Sequence, residues 1–178
     1  TGHTGFKGSW LTYWLKEIGA EVFGYSLKPI TEPNHFDLLK SDLKSSYNNI
    51  CDLNRFKKFI NETNPEIIFH LAAQPLVRQS YIDPIETYQT NVIGTANLLE
   101  SIKNNQFVKA VIVITTDKCY KNLNQSQGYK ESDVLGGYDP YSSSKACVEL
   151  LVSSFRDSFF NPNEYGNKHQ VLISTARA

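Results

Sequence analysis

Methionine is missing from the sequence altogether, and without an initiator residue these 178 residues are expected to be a piece of a longer chain. Cysteine is scarce: Cys51, Cys119 and Cys147 stand far apart with no CxxC pair, which excludes a disulfide framework and fits a reduced, cytoplasmic protein. The 4 histidines show no ligand spacing, so no metal is expected. An excess of one charge is also absent. The 18 basic and 18 acidic side chains cancel, which argues against a nucleic-acid partner. No apolar run reaches the ~20 residues of a membrane-spanning helix, and no leader precedes the first glycine, so no membrane partner is expected. Repeats, low-complexity tracts and interdomain linkers are lacking too.

What is there begins at once, with "TGHTGFKGSW" at residues 1–10. Gly2, Gly5 and Gly8, with Thr4 and Phe6 between them, form a side-chain-poor turn that leads into a helix. Backbone N–H groups in such a turn can approach a pyrophosphate, and the helix N-terminus adds a favourable dipole. Gly8 allows the helix to pack closely on a strand. The absence of a GK[ST] sequence disfavours a Walker-type loop. A carboxylate that would bind the ribose hydroxyls of NAD is expected ~20 residues on, yet Tyr25 and Ser26 occupy that place and Lys28 is the nearby cation. NAD is favoured over NADP on this pattern.

Apolar spacing over Trp10, Leu11, Trp14, Leu15 and Ile18 predicts an amphipathic helix closed by Gly19. Strands are predicted at 21–27, 66–73, 110–115 and 171–178, and helices at 54–62, 84–104 and 140–159, with Phe56, Phe59 and Ile60 inward on the first. Residues 28–49 read as mostly loop, with a helical turn near Phe36–Lys40. This alternation implies an α/β fold, a Rossmann-type doubly wound parallel sheet forming one partial NAD-binding domain over 1–178. The first strand and a C-terminal substrate domain beyond 178 are expected to be missing.

In "YSSSK", Tyr141 and Lys145 lie four apart on one helix face. An ammonium beside a phenol lowers its pKa from about 10, so that Tyr141 can take a proton from a sugar hydroxyl while Lys145 holds the nicotinamide ribose. Ala72, Ala73 and Gln74 follow the strand at 66–71 and either line the cofactor cleft or simply pack. His70, inside that strand, reads as a satisfied core histidine. Arg78 is a candidate for a substrate phosphate, with a solvated arginine as the alternative.

"TGHTGFKG", "HLAAQ", "NVIGT", "ITTDKCY" and "YSSSK" together resemble the extended short-chain dehydrogenase/reductase family. Within it, "HLAAQPLVRQSY", "TTDKCY" and "GGYDPYSSSKACVE" are similar to the CDP-glucose branch of the sugar-nucleotide 4,6-dehydratases, enzymes of deoxysugar and O-antigen biosynthesis. The resemblance implies NAD as an internally recycled hydride carrier and a nucleotide-sugar substrate. Thr116 would assist Tyr141 and meet the substrate. Asp117 would be an acid whose pKa burial raises, and Lys118 would be a base or an enolate-stabilising cation in the place where dTDP-glucose enzymes carry glutamate. Asp52 and Leu53 would contact adenine, although Asp52 also reads as a helix N-cap. Asn91 would support the active-site strand. A homodimer through 84–104 and 140–159 is implied, unless those faces are core. A 4-epimerase or reductase, and a non-catalytic NAD-binding regulator, are the competing readings.

Overall fold

A computed structural model describes residues 1–39 and 42–178. The glycine turn feeds directly into α1, Phe6–Glu17, four residues before the first apolar residue of the predicted helix. The chain leaves α1 through Gly19 at φ 87°, where the Gly19 and Ala20 amides bond to the Lys16 and Leu15 carbonyls. The apolar stripe expected to be buried is divided: Leu11 and Leu15 are half-buried, whereas Trp14 is 65% and Ile18 67% exposed. The helix turns Gly8, Ser9 and Thr12 inward because its close approach at Gly8 admits only small side chains on that face.

Strand β1, Phe23–Ser26, is shorter than its predicted span. The segment read as loop contains α2, His35–Leu38, near the expected helical turn, and an unexpected strand β2, Lys44–Tyr47, parallel to β1. Lys40, the predicted end of that turn, lies outside the described residues. The "KSSY" of β2 is a polar strand held by ladder bonds with no fully buried side chain, so alternation gave no signal for it.

Helix α3, Leu53–Thr63, is capped by Asp52, whose carboxylate accepts the Arg55 amide at 3.0 Å, and it buries Phe56 and Ile60. Strand β3, Ile67–His70, follows. A short helix α4, Val77–Ile82, was not foreseen. The run predicted at 84–104 is α5, Pro84–Tyr88, a single π-helical turn at Gln89–Ile93, and α6, Gly94–Ile102. Strand β4, Ala110–Thr115, helix α7, Pro140–Phe159, and strand β5, Leu172–Arg177, complete the order.

All strand pairs are parallel: β1 with β2, and β3–β4–β5 with β4 in the middle. Thr1 and Gly2 bridge the two sheets. The Thr1 nitrogen donates to Phe69 O at 2.7 Å, Leu71 N donates to Thr1 O, and Gly2 N donates to Tyr25 O at 2.9 Å. Beneath this bridge lies a cavity of about 410 Å³, walled by Leu11, Leu15, Phe56, Phe59, Ile60 and Ile68. The main core gathers Leu98, Leu99 and Ile102 of α6, Val111 and Val113 of β4, and Val148 and Val152 of α7, all at most 1% exposed. Burying each such side chain stabilises by about 1.5–3 kcal/mol. This packing fixes α7 across the ends of β4 and β5, where the candidate site stands.

Candidate functional site

The glycine turn is built by backbone contact. A Cβ on Gly2, which sits at φ 71°, would lie 2.6 Å from the Ala72 nitrogen, and one on Gly8 would lie 2.1 Å from the Gly2 carbonyl oxygen. The turn therefore nests between the end of β3 and the first turn of α1. Gly5 is the N-cap and offers no side-chain cap, so the first α1 amides stay free for an acceptor such as a phosphate oxygen. Thr4 Oγ1 donates to Leu27 O at 2.9 Å and lies 2.8 Å from Ser26 Oγ, which anchors the turn to the end of β1. Phe6 is exposed at the helix start.

The second cluster sits where β4 ends. Thr116 is buried, and its hydroxyl donates to Asp117 Oδ1 at 3.0 Å and caps a 3-10 turn over Asp117–Cys119. Tyr141 enters α7 directly after Pro140. Asp139 caps that helix, accepting the Ser142 amide at 2.9 Å and the Ser142 hydroxyl at 2.6 Å. Burial pushes the Tyr141 phenol up from its ordinary pKa; the Thr116 side chain against it pulls the other way, and Asp139 and Asp117 add to the rise. The Thr116 side chain, bonded to Asp117, is thus the neighbour that opposes the rise.

Two expectations are corrected here. The phenol pKa is raised on balance where a depression by Lys145 was expected, because burial outweighs the favourable contacts, and the Lys145 ammonium donates to Ile114 O at 3.2 Å. Asp117 and Lys118 are both exposed, so the burial expected of Asp117 is absent; the 3-10 turn carries both side chains outward from the strand end. Lys145 itself is 6% exposed, and burial lowers its pKa to about 8, with Glu149 opposing and Lys7 assisting that shift.

The supporting residues divide. Asp52 and Leu53 open α3, with Asp52 capping it and pairing with Arg55 at 3.1 Å. Ala72 donates its amide to Thr1 Oγ1, and Ala73 follows it, half-buried. Gln74 is buried and turned into the scaffold: its amide nitrogen Nε2 donates to Thr87 Oγ1 at 2.9 Å, and its backbone N–H donates to Asn91 Oδ1 at 2.8 Å. Asn91, in the π-helical turn, donates to Gln74 O and Ser144 Oγ, joining the end of β3 to α7. π-helical turns often mark functional segments. His70 is satisfied in the core, bonded to Thr1 and Thr95 hydroxyls, with burial holding its pKa well below the usual value. Arg78 is exposed on α4, away from these clusters' hydrogen bonds. Among the described residues no group of three or more His, Cys, Asp or Glu is arranged to hold a metal.

Sequence reasoning missed the polar residues behind the cluster. Ser144 donates to Tyr141 O at 2.6 Å, and buried Glu149 links α7 to β4 and β5. A charged residue at a core-facing position of "ACVELLV", one turn beyond Lys145, was the available signal for the latter.

A parallel sheet with a glycine turn at one strand end and a Tyr–Lys helix across another defines a dinucleotide-binding scaffold of the short-chain dehydrogenase type. The chain belongs to the GDP-mannose 4,6 dehydratase family, whose model matches residues 1–166. It is 53% identical to CDP-glucose 4,6-dehydratase of Salmonella typhimurium over the whole of this chain and 50% of that protein. The fold is that of UDP-glucose 4-epimerase from Thermotoga maritima, solved with UDP-glucose, at TM-score 0.83 and 24% identity over 99% of this chain and 53% of that one. It is also that of Bacillus anthracis dTDP-glucose 4,6-dehydratase in complex with NAD, at TM-score 0.74 and 23% identity over 98% and 52%. The chain spans about half the length of the curated relatives it matches. No helix among the described residues is long and apolar enough to cross a membrane.

Proposed function

We propose that the protein carrying this chain is a CDP-glucose 4,6-dehydratase that uses NAD and eliminates water to give the 4-keto-6-deoxy sugar nucleotide. The observation that supports the reading is the Thr116 hydroxyl at the end of β4, bonded to Asp117 and acting on the Tyr141 phenol. Identity of 53% with a CDP-glucose enzyme supports the choice of nucleotide sugar.

NAD suits the cradle, because Gly2 and Gly8 leave no room for side chains and α1 begins with free amides. When bound, NAD supplies the acceptor for the C4 hydride and returns that hydride to C6. Gly2, Thr4, Gly5, Phe6 and Gly8 would face its pyrophosphate, Asp52 and Leu53 its adenine, and Ala72, Ala73 and Gln74 the wall between. Lys145 would orient the nicotinamide ribose.

Tyr141 takes the C4 hydroxyl proton, assisted by the Thr116 hydroxyl. Burial raises the phenol pKa over residues 1–178, and the positive charge of a nicotinamide would lower it toward the working range. The ketone at C4 acidifies C5. Lys118 removes that proton or stabilises the enolate as a cation, Asp117 protonates the departing C6 hydroxyl, and a proton returns to C5 once C6 has received the hydride. Both side chains are exposed over residues 1–178, and substrate or the remainder of the longer chain would cover them. Arg78 would meet a substrate phosphate. Nucleotide recognition is assigned to residues beyond 178, on the relatives' greater length. The protein would act in the cytoplasm as a homodimer, and exposed Ile82, Ile85 and Leu150 on α4, α5 and α7 suit such an interface.

The second reading is a 4-epimerase or reductase, which needs Tyr141 and Lys145 but no acid for elimination. The test incubates the full-length protein with CDP-, dTDP- and UDP-glucose. A 4-keto-6-deoxy product from CDP-glucose without net NADH supports the dehydratase. Interconversion of C4 epimers, undiminished in Asp117→Asn, supports the epimerase.

A further inference from the structure

Behind the Tyr141 cluster lies a buried ionic hub that the reaction scheme does not use. Glu149 is two helical turns from Tyr141 and one from Lys145, on the same face of α7. It is 6% exposed. One carboxylate oxygen accepts the Thr115 hydroxyl. The other accepts the Thr175 hydroxyl at 2.9 Å and Arg177 Nη2 at 2.9 Å. Arg177 goes on to donate through Nη1 to the Tyr120 hydroxyl at 2.7 Å and to Glu131 O at 3.3 Å, with its guanidinium 4.9 Å from the Tyr120 ring centroid. Tyr120 closes the turn that bears Asp117 and Lys118, its amide bonding to Asp117 O. It also stacks on Tyr129 at 5.0 Å.

We propose that Glu149, with Arg177 as its counter-ion, is a positioning residue that sets Thr116 and Asp117 at a fixed distance from Tyr141 and Lys145. The two halves of the site sit on separate elements: the phenol and ammonium on α7, the hydroxyl and carboxylate beyond β4. Thr115, the residue just before Thr116, is tied directly to Glu149, and Tyr120, just beyond the triplet, is tied to it through Arg177. The segment 116–119 is therefore pinned at both ends to one carboxylate on the helix that carries Tyr141.

A buried carboxylate is costly unless fully bonded, and apolar residues would fill this space with less penalty, so its use here fits a demand for geometry. Burial alone would raise the Glu149 pKa; Arg177, Thr115 and Thr175 overcome it and hold the carboxyl below the usual range, so the anion persists at neutral pH. Displacement of a reacting group by about 1 Å costs on the order of 100-fold in rate, which gives such a clamp a kinetic consequence.

The inference rests on the dehydratase reading for its kinetic part alone. The test compares the full-length protein with Glu149→Gln, Glu149→Asp and Thr175→Val, each first checked for its denaturation midpoint. In Glu149→Gln, amide hydrogen exchange over 116–120 should rise about 10-fold while α3 and β3 amides stay unchanged. With CDP-glucose, kcat should fall on the order of 10- to 100-fold, with KM within about twofold. Glu149→Asp should recover part of kcat. Should Glu149→Gln fail to fold, Thr175→Val removes a single donor and should show the same pattern at about threefold. Unchanged exchange over 116–120 overturns the proposal whatever the kinetics, as does a kcat loss that merely tracks global stability. Wild type that turns over no sugar nucleotide defeats the dehydratase reading, and the exchange comparison still decides the positioning role.

Discussion

The two ends of the candidate site are organised by opposite means. Around the glycine turn, order comes from what is missing: Gly2 and Gly8 touch backbone where any side chain would collide, and α1 shows Trp10 and Trp14 to solvent. Around Tyr141, order comes from what is added. Asn91, Ser144, Thr115, Glu149, Thr175 and Arg177 link β3, β4, β5 and α7 by side-chain hydrogen bonds in a low-dielectric setting. A surface meant to receive a phosphate needs exposed N–H groups and close approach, so side chains obstruct it. A surface meant to move protons needs groups held at fixed distances, so side chains must brace one another.

The comparison breaks most violently at Gly8. Alanine there places a Cβ 2.1 Å from the Gly2 carbonyl oxygen, with backbone on both sides of the conflict. The full-length Gly8→Ala protein should lose about 4 kcal/mol or more, read from its denaturation midpoint, and should cease to bind NAD. A variant of near-normal stability would mean that the turn can shift aside, and that close approach is not what orders this end.

At the other end, removing one oxygen should leave the fold and abolish the chemistry. In Tyr141→Phe, kcat for the full-length protein should drop on the order of 100-fold or more, with NAD affinity within about twofold and the denaturation midpoint little changed. An equal fall in NAD affinity would make the hydroxyl a binding group instead.

This contrast also accounts for what the sequence made legible. Three glycines three apart and a Tyr–Lys pair four apart are local patterns, so the turn and α7 could be read directly. Asn91 was legible as a support because "NVIGT" carries a family resemblance, and the structure joins it to Gln74 and Ser144. Strand β2 was not, since "KSSY" owes its order to ladder bonds with β1 and to no apolar pattern. The outward face of α1 misled for the converse reason: helical spacing identifies a stripe, but close approach at Gly8 decides which stripe turns inward. Burial of Asp117 was implied by the acid role the resemblance assigns it; the 3-10 turn that exposes it over residues 1–178 is capped by one hydroxyl, Thr116. Glu149 stood out only as a charge on a core-facing position, and its role was hidden because its partners lie 26 to 34 residues away in sequence.

His3 sharpens the comparison through pH. It is buried in the turn, its Nε2 lies 3.0 Å from Ser45 Oγ, and its ring meets Phe36 edge-on at 5.3 Å. Burial lowers its pKa to about 4, against 6.5 ordinarily. Between those values the unfolded chain binds more protons than the folded one, so stability falls as pH drops from 6.5 to 4. The gap between wild type and His3→Asn in denaturation free energy should narrow by about 2 kcal/mol over that range. A constant gap would show that His3 stays uncharged for reasons unrelated to folding.

The smallest effect is expected at Thr4, whose side chain ties the glycine turn to the end of β1. Its hydroxyl reaches Leu27 O at 2.9 Å and Ser26 Oγ at 2.8 Å, and Ser26 Oγ donates to the same carbonyl. In Thr4→Val the carbonyl keeps the serine and gains water, so the loss should be about 1 kcal/mol. If the hydroxyl serves to aim the turn, the same change weakens NAD binding by about fivefold, the equivalent of that energy. If stability falls and affinity does not, backbone packing alone aims the turn, and the contrast between its two methods of ordering becomes complete. If neither moves, Ser26 suffices, and the link between β1 and the phosphate turn is carried by the strand's own residue.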